Sequence, residues 1–258
     1  MTRTTVTKPL PSSQMPMPKP MEEQPKLLRA CLYGDFGQGK TTLAGKLVEV
    51  LGGKTLHLTT DSAWTVLLGN PALQGKLDRV QYKSYGTGTT FGHLQDIALA
   101  YGDAEFYQNL IWDTTGQSIE IAVRHWTKVK KFSDQRDPEV ASWTHYGLVR
   151  NKLADALTIL KATQLNIIYI FHERSPSEEE IKKGKIMVRP SSPEKAYMEV
   201  AQECNLVARC FKERRGEEYL VQTEGTTTEA GKSQIPTIPQ TTFKPDDLPK
   251  LLKQWRDS

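Results

Sequence analysis

The sequence predicts an α/β fold: a mostly parallel sheet flanked by helices, with an antiparallel β-hairpin towards the C-terminus. Three observations predict it. Short apolar runs that end on glycine or a polar residue alternate with segments of helical period, as strands alternate with crossover helices. The run from Asn166 to Phe171 has the length and apolar content of a buried strand. Near the end, Leu206 to Lys212 and Glu218 to Thr223 flank Arg214-Arg215-Gly216-Glu217, as two hairpin strands flank a turn.

Composition narrows the class. A chain of 258 residues can bury a large core, and with 38% hydrophobic and 25% charged residues most of it is expected to be globular. Eighteen consecutive apolar residues, roughly the minimum for a transmembrane helix, occur nowhere, so no membrane partner is expected. The N-terminus lacks the apolar stretch of a secretory signal. Cys31, Cys204 and Cys210 are scattered, which suits neither a disulfide framework nor paired metal-ligand spacing. The expectation is a soluble protein of a reducing cytoplasm. A net charge of +4 permits a nucleic-acid partner without arguing for one.

Residues 1–26 hold six of the fifteen prolines and four of the six methionines and carry no period. They read as a disordered, weakly basic arm, either a simple tail or a partner-docking peptide. A domain is expected over 27–235, followed by a C-terminal extension over 236–258. Leu28 to Tyr33 is an apolar run that ends on Gly34, hence a first buried strand. Thr41 to Leu51 places apolar residues at helical spacing and closes on Gly52-Gly53. Thr55 to Thr59 and Arg79 to Tyr85 predict two further strands, Thr90 to Tyr101 a helix, and Tyr107 to Trp112 a fourth strand ending at Asp113. Tyr146, Val149, Leu153, Leu157 and Leu160 step by three or four along a long amphipathic helix. The polar stretch Glu173 to Pro193 reads as a long mobile loop, and Glu194 to Cys204 as a short helix. In the extension, Leu248, Leu251, Leu252 and Trp255 share one face of a short helix that can dock on its own domain or on a neighbour.

One motif carries chemistry. Gly34-Asp35-Phe36-Gly37-Gln38-Gly39-Lys40-Thr41 fits G-x-x-x-x-G-K-[ST], between a predicted strand and a predicted helix. Its glycines let successive amides face an anion, and the helix N-terminus adds partial positive charge. This predicts a nucleoside triphosphate site in which Lys40 meets the β- and γ-phosphates and the Thr41 hydroxyl ligates Mg²⁺. Thr42 is expected near the α-phosphate. The alternative is a glycine-rich turn that binds nothing.

Such a site needs a second oxygen ligand for the metal. Asp113 fits, because it ends an apolar strand at the sheet edge where α/β folds gather ligands. It can also serve as the N-cap of the next helix. Thr114 follows it, so no neighbouring glutamate is available to activate water. Asp61, just after the second strand, is the candidate base, with a cap or turn residue as the other reading. His172 closes the apolar run at the same edge, where an imidazole can donate to a γ-phosphate or be merely structural. His57, His93, His125 and His145 share no metal-like spacing, and no chemistry is assigned to them.

Together, Gly34 to Thr42, Leu58-Thr59-Thr60-Asp61, Asn109 to Thr115 and Asn166 to Arg174 resemble the motifs of RecA-like ATPases encoded by phages. These include AAA-family ATPases and recombinase paralogues that bind and anneal single-stranded DNA. The resemblance spans about residues 27–235. It implies a RecA-like P-loop NTPase core with ATP and Mg²⁺ as cofactors. It implies that Asp61 polarises the attacking water and that His172 senses the γ-phosphate. Lys232, in Gly231-Lys232-Ser233-Gln234, matches a late lysine that reaches the γ-phosphate of a neighbouring subunit. Its flanks depart from the usual Ala-Lys-Asp-Arg, and a solvated loop lysine is the other reading.

The resemblance also implies partners: single-stranded DNA, further copies of the chain in a ring or filament, and a single-strand-binding protein. Lys128, Lys130, Lys131 and Arg136, with Phe132 and Trp143 nearby, fall where a first DNA loop would lie. Arg174, Lys182, Lys183, Lys185 and Arg189 fall where a second would lie. Cationic side chains neutralise phosphates and aromatic rings stack on unpaired bases. Asp134, Asp137 and Glu139 interrupt the first group and Glu178 to Glu180 the second, which is also the pattern of a solvated face. The leading expectation is a DNA-stimulated ATPase of phage recombination, repair or replication. Two alternatives keep the same loop: a small-molecule kinase, and a nucleotide-gated assembly or packaging factor.

Overall fold

The structure, a computed structural model, describes residues 25–60, 65–81, 106–184, 187–193, 196–213 and 218–258. Asp61, Lys185, the expected helix over 90–101, the end of the expected strand over 79–85 and the hairpin turn over 214–217 lie outside the described residues.

In chain order the elements are β1 (Arg29–Gly34), α1 (Lys40–Leu51), β2 (Thr55–Thr59), α2 (Thr65–Leu68), a 3-10 turn (Pro71–Leu73), β3 (Leu77–Gln81), β4 (Asn109–Asp113), α3 (Thr115–Val129), α4 (Trp143–Ala162), β5 (Asn166–Arg174), α5 (Glu178–Lys182), β6 (Arg189–Pro190), α6 (Ala196–Glu203), β7 (Leu206–Lys212), β8 (Tyr219–Gln222), β9 (Lys232–Ser233), β10 (Thr242–Phe243) and α7 (Asp247–Asp257). The sheet runs β10-β8-β7-β1-β5-β4-β2-β3, with β6 beside β5 and β9 beside β7. From β7 to β3 every pairing along that path is parallel. The later strands β8, β9 and β10, and the short β6, pair antiparallel. The expected class, a mostly parallel sheet with an antiparallel C-terminal hairpin, is the observed one.

Alternation along the strands makes three layers. Leu56, Leu58, Leu110, Trp112, Ile167, Tyr169 and Phe171 pack under α3, α4 and α6. Ile111, Ile168 and Ile170, one residue out of phase, pack with Leu43, Leu47 and Leu51 of α1 on the other face. Leu248 and Leu252 of α7 join this second cluster. Arg256 Nη1 donates to the Val50 and Leu51 carbonyls at 2.6 Å each and so closes the C-terminus of α1. Lys46 pairs with Asp246 at the start of α7. The extension beyond residue 235 thus docks on its own domain.

One segment differs from expectation. Glu173 to Pro193 is not one long loop: β5 runs on to Arg174, where β6 pairs with it, and α5 lies between them. A capping box holds α5, with Ser177 accepting from the Glu180 amide while the Glu180 side chain accepts from the Ser177 amide. His172 therefore sits inside β5 rather than at its end. The helix expected after Asp113, to which no bounds were assigned, is the fifteen-residue α3.

Among the described residues no helix is long and apolar enough to cross a membrane. All three cysteines are buried and free. Burial pushes their thiols up, that of Cys210 to about 12.

Candidate functional site

The edge formed by the C-terminal ends of the parallel strands gathers the predicted residues. β1 ends at Gly34, where a Cβ would lie 2.0 Å from the Cys210 carbonyl oxygen of β7, so only glycine fits. The loop then turns through Gly37 and Gly39, at φ 71° and 75°, a region that favours glycine. Asp35 Oδ1 accepts from the Phe36 amide at 2.7 Å, which shapes the turn. α1 begins at Lys40 behind Gly39, with no side chain capping its first turn. Uncapped first-turn amides at the end of a glycine loop are donors for an anion. The buried Lys40 ammonium donates to the Gly34 and Asp35 carbonyls at 3.0 and 2.7 Å. Gln38 and Gly39 are half-buried and Thr42 is exposed.

Strand order brings two more predicted residues to this loop. β5 lies between β1 and β4, so Gly34 is in register with His172, and Ile170 with Asp113. The ring of Phe36, 74% exposed, lies 4.1 Å from that of His172. Thr41 Oγ1 donates to Asp113 Oδ2 at 2.7 Å. The N-cap of α3 is Thr114 rather than Asp113, which leaves the Asp113 carboxylate to Thr41. Paired hydroxyl and carboxylate oxygens are the donor chemistry that suits Mg²⁺, so these two residues fit that ion. Thr60, just before Asp61, is fixed at the same edge. Its amide donates to the Asp113 carbonyl at 2.8 Å, and its hydroxyl accepts from the Thr114 amide at 3.0 Å and donates to Gln117 Oε1 at 2.9 Å.

Lys232 is not brought to this loop. It pairs with Val207, which is in register with Cys31, three positions back along β1 from Gly34. Its ammonium reaches the Ala201 carbonyl of α6 at 3.5 Å.

Beside the loop lies a cleft of about 570 Å³, bounded by Thr41, Thr42 and Lys46 on one side and by Tyr219, Leu220, Lys244 and Pro245 on the other. A second, wider cleft of about 1780 Å³ joins the segment after α3 to the end of β5. Lys128, Lys131, Arg136 and Arg174 line it, together with Trp143, which is 76% exposed. Lys128 belongs to the last turn of α3. Lys130 stands outside the cleft lining, its ammonium 5.0 Å over the Phe132 ring. Lys182, Lys183 and Arg189 also stand outside it, on and after α5. Glu180 holds Arg174 at 3.1 Å and Arg189 at 3.5 Å. The Ser177 amide, with the two arginines behind it, holds the Glu180 carboxyl below the usual range. Asp134 accepts from the amide and hydroxyl of Thr144 at 3.2 and 2.9 Å, so this acid serves the start of α4.

Sequence reasoning did not find two groupings. Arg209 of β7 forms a fork with Glu173, at 2.8 and 3.0 Å, one residue from His172. His57 is buried against Asp113. Both depend on the order of strands in the sheet, His57 on β2 lying beside β4 and Arg209 on β7 and β5 flanking the end of β1, and local spacing carries no signal for that.

A glycine loop between a parallel strand and a helix, with its lysine on the loop carbonyls and its threonine on a neighbouring strand's aspartate, defines a P-loop nucleotide-binding domain of the α/β class. More particularly, the chain belongs to the AAA domain family, whose model matches residues 26–235, and so stands among the P-loop ATPases. Solved structures similar to it include the flagellar accessory protein FlaH from Methanocaldococcus jannaschii, at 10% identity over 83% of this chain and 84% of that one, TM-score 0.44. Another is the RadB recombinase, at 14% identity over 75% of this chain and 78% of that one, TM-score 0.43. Among curated proteins none matches the sequence.

Proposed function

We propose that the chain is a RecA-like, Mg²⁺-dependent ATPase that acts on single-stranded DNA in phage recombination, repair or replication. The observation that carries the DNA part is the wide cleft: it brings Lys128, Lys131 and Arg136 of the first expected segment together with Arg174 of the second and an exposed tryptophan, although Glu120, Asp134, Asp137 and Glu139 line it too. Unpaired strands are held by such a combination of charge and aromatic surface.

The residues divide the work as follows. The loop amides and Lys40 hold the phosphates, and Thr41 and Asp113 hold Mg²⁺. Bound between these two residues and the nucleotide, the ion would supply positive charge that offsets the negative charge of the phosphates. The narrower cleft beside Thr42 receives the nucleoside, against Tyr219 and Pro245. Asp61 orients the attacking water. β5 links the two sites, because His172 lies beside the loop and Arg174, two residues on, lines the wide cleft. A change at the γ-phosphate then moves the end of a strand that touches DNA. Lys232 stands three positions down the sheet, about 10 Å by strand rise. That distance argues against a role on its own γ-phosphate, and the role proposed for it is on that of a neighbouring copy, to reach which its ammonium must leave the Ala201 carbonyl.

The test is anisotropy of a labelled oligo-dT, titrated with the protein over a range of salt concentrations. Binding that strengthens with a non-hydrolysable ATP analogue and weakens with salt is expected, together with faster ATP hydrolysis when the oligonucleotide is added. No salt-dependent binding with or without nucleotide sinks the DNA reading and leaves the ATPase assignment standing.

A further inference from the structure

Asp113 Oδ2 meets two side chains. The Thr41 hydroxyl donates to it at 2.7 Å, and His57 Nε2 stands 3.7 Å from the same oxygen. The His57 side chain is 0% exposed and that of Asp113 1%. Among the described residues neither ring nitrogen of His57 has a hydrogen-bond partner. Burying such a ring unpaired costs free energy that an apolar side chain would not.

Strand geometry explains how the ring comes to lie there. Leu56 and Leu58 pack on the α3 and α4 side of β2, so Thr55, His57 and Thr59 share the α1 side. Thr55, His57 and Thr59 are in register with Asn109, Ile111 and Asp113 of β4. His57 therefore sits one strand step back from the sheet edge, beside the carboxylate that Thr41 holds. Leucine fills the other face of β2, and His57 lies between Thr55 and Thr59 on this one.

The gap of 3.7 Å is too long for a hydrogen bond, and the soft torsion of an aspartate carboxylate can close most of it. A hydroxyl has one hydrogen and two lone pairs, so Thr41 can offer its oxygen to a cation while its hydrogen stays on Oδ2. That single bond leaves Oδ2 a lone pair to spare, and the His57 ring stands behind it as a second donor.

We infer that His57 is a positioning residue for Asp113: its Nε2–H takes up Oδ2 and fixes the carboxylate for the metal. The inference rests on the proposed Mg²⁺ site. It assigns His57 no contact with nucleotide or substrate.

The experiment measures Mn²⁺ binding to the protein–ADP complex by electron paramagnetic resonance, and ADP affinity alone in EDTA, for wild type, His57→Leu and His57→Gln. His57→Leu is expected to weaken Mn²⁺ about tenfold, as loss of a partner behind a metal ligand does, while ADP affinity in EDTA stays within about twofold. His57→Gln, whose side-chain amide can still donate, is expected to restore most of the Mn²⁺ affinity. Unchanged Mn²⁺ binding in His57→Leu, or an equal loss of ADP affinity in EDTA, overturns the inference. Wild type that binds ADP but no Mn²⁺ removes the proposed metal site, and the inference falls with it. If His57→Leu does not fold, nitrogen-15 spectra of the wild-type ring decide. A change at Nε2 on adding Mg²⁺ with ADP, and none with ADP in EDTA, is expected, and an unresponsive ring overturns the inference.

Discussion

The ammonium of Lys40 rests on the carbonyl oxygen of Asp35, 2.7 Å away, and so lies over the glycine loop rather than in the core. The role proposed for it is charge offered to phosphate. Lys40→Ala is therefore expected to abolish measurable ATP binding and hydrolysis with little change in folding. Two lost charge-assisted hydrogen bonds at about 1.5–3 kcal/mol each predict a fall in affinity of at least about a hundredfold. Calorimetric titration with Mg²⁺-ATP, with circular dichroism as the fold control, checks this. Normal hydrolysis in the variant would remove the loop from the chemistry.

The C-terminal extension gives a stability prediction. Leu252 is fully buried among α1 and sheet residues, so Leu252→Ala should cost about 2–5 kcal/mol. Chemical denaturation gives the difference directly. A loss below about 1 kcal/mol would mean that α7 is a loosely held appendage rather than part of the core.

How far the sequence carries depends on the range of the signal. The glycine loop, β1, α1 and β4 are local patterns, and each was legible, with the places that Lys40, Thr41 and Asp113 take in them. The hairpin was legible because alternation and a turn signal are local too. The bounds of α3 were not, although Ile119, Val123 and Trp126 step by four and three, because Thr115-Gly116 and the β-branched residues are weak helix formers. The helix forms because Ile119, Ala122 and Val123 bury against Trp112 and the α4 face. The Ser177–Glu180 capping box was present in the sequence and was obscured by the polarity of its surroundings. His57 and Arg209 are cases of another kind. Their partners Asp113 and Glu173 come from other strands, and no local spacing reveals that adjacency.

Glu180 restrains two cations at once, Arg174 and Arg189. Glu180→Gln keeps an acceptor for the capping box and removes the charge. If the wide cleft holds a DNA strand, the freed Arg174 should tighten oligo-dT binding about three- to tenfold at low salt and steepen the salt slope by up to about 0.7. The wild-type carboxyl is depressed, so its contribution is present above the ordinary carboxylate range and is lost only as pH falls through the lower folded value. Wild type at pH 6 should therefore not imitate the variant. An unaltered slope in Glu180→Gln would show that neither arginine meets phosphate.

Asp61 follows Thr60, whose amide and hydroxyl are tied to Asp113, Thr114 and Gln117. In the proposed function, Asp61 is the base that acts on water. Asp61→Asn should leave ATP affinity within about threefold and lower turnover about a hundredfold or more, as expected when a general base is lost. Single-turnover hydrolysis separates the two effects. Equal turnover would remove Asp61 from the mechanism.

Tyr219, 44% exposed, faces Thr42 across the narrower cleft, with Pro245 beside it. An exposed aromatic ring lining the same cleft as the glycine loop is a surface for a flat base. Tyr219→Ala should weaken ATP by about 1–2 kcal/mol, the scale of one lost stacking contact. Inorganic tripolyphosphate separates base from phosphate, because it can use the loop and Lys40 but has nothing to stack. Its affinity should be the same in the variant and in wild type. An equal loss for both ligands would mean that Tyr219 supports the loop itself, and no loss for either would place the base elsewhere.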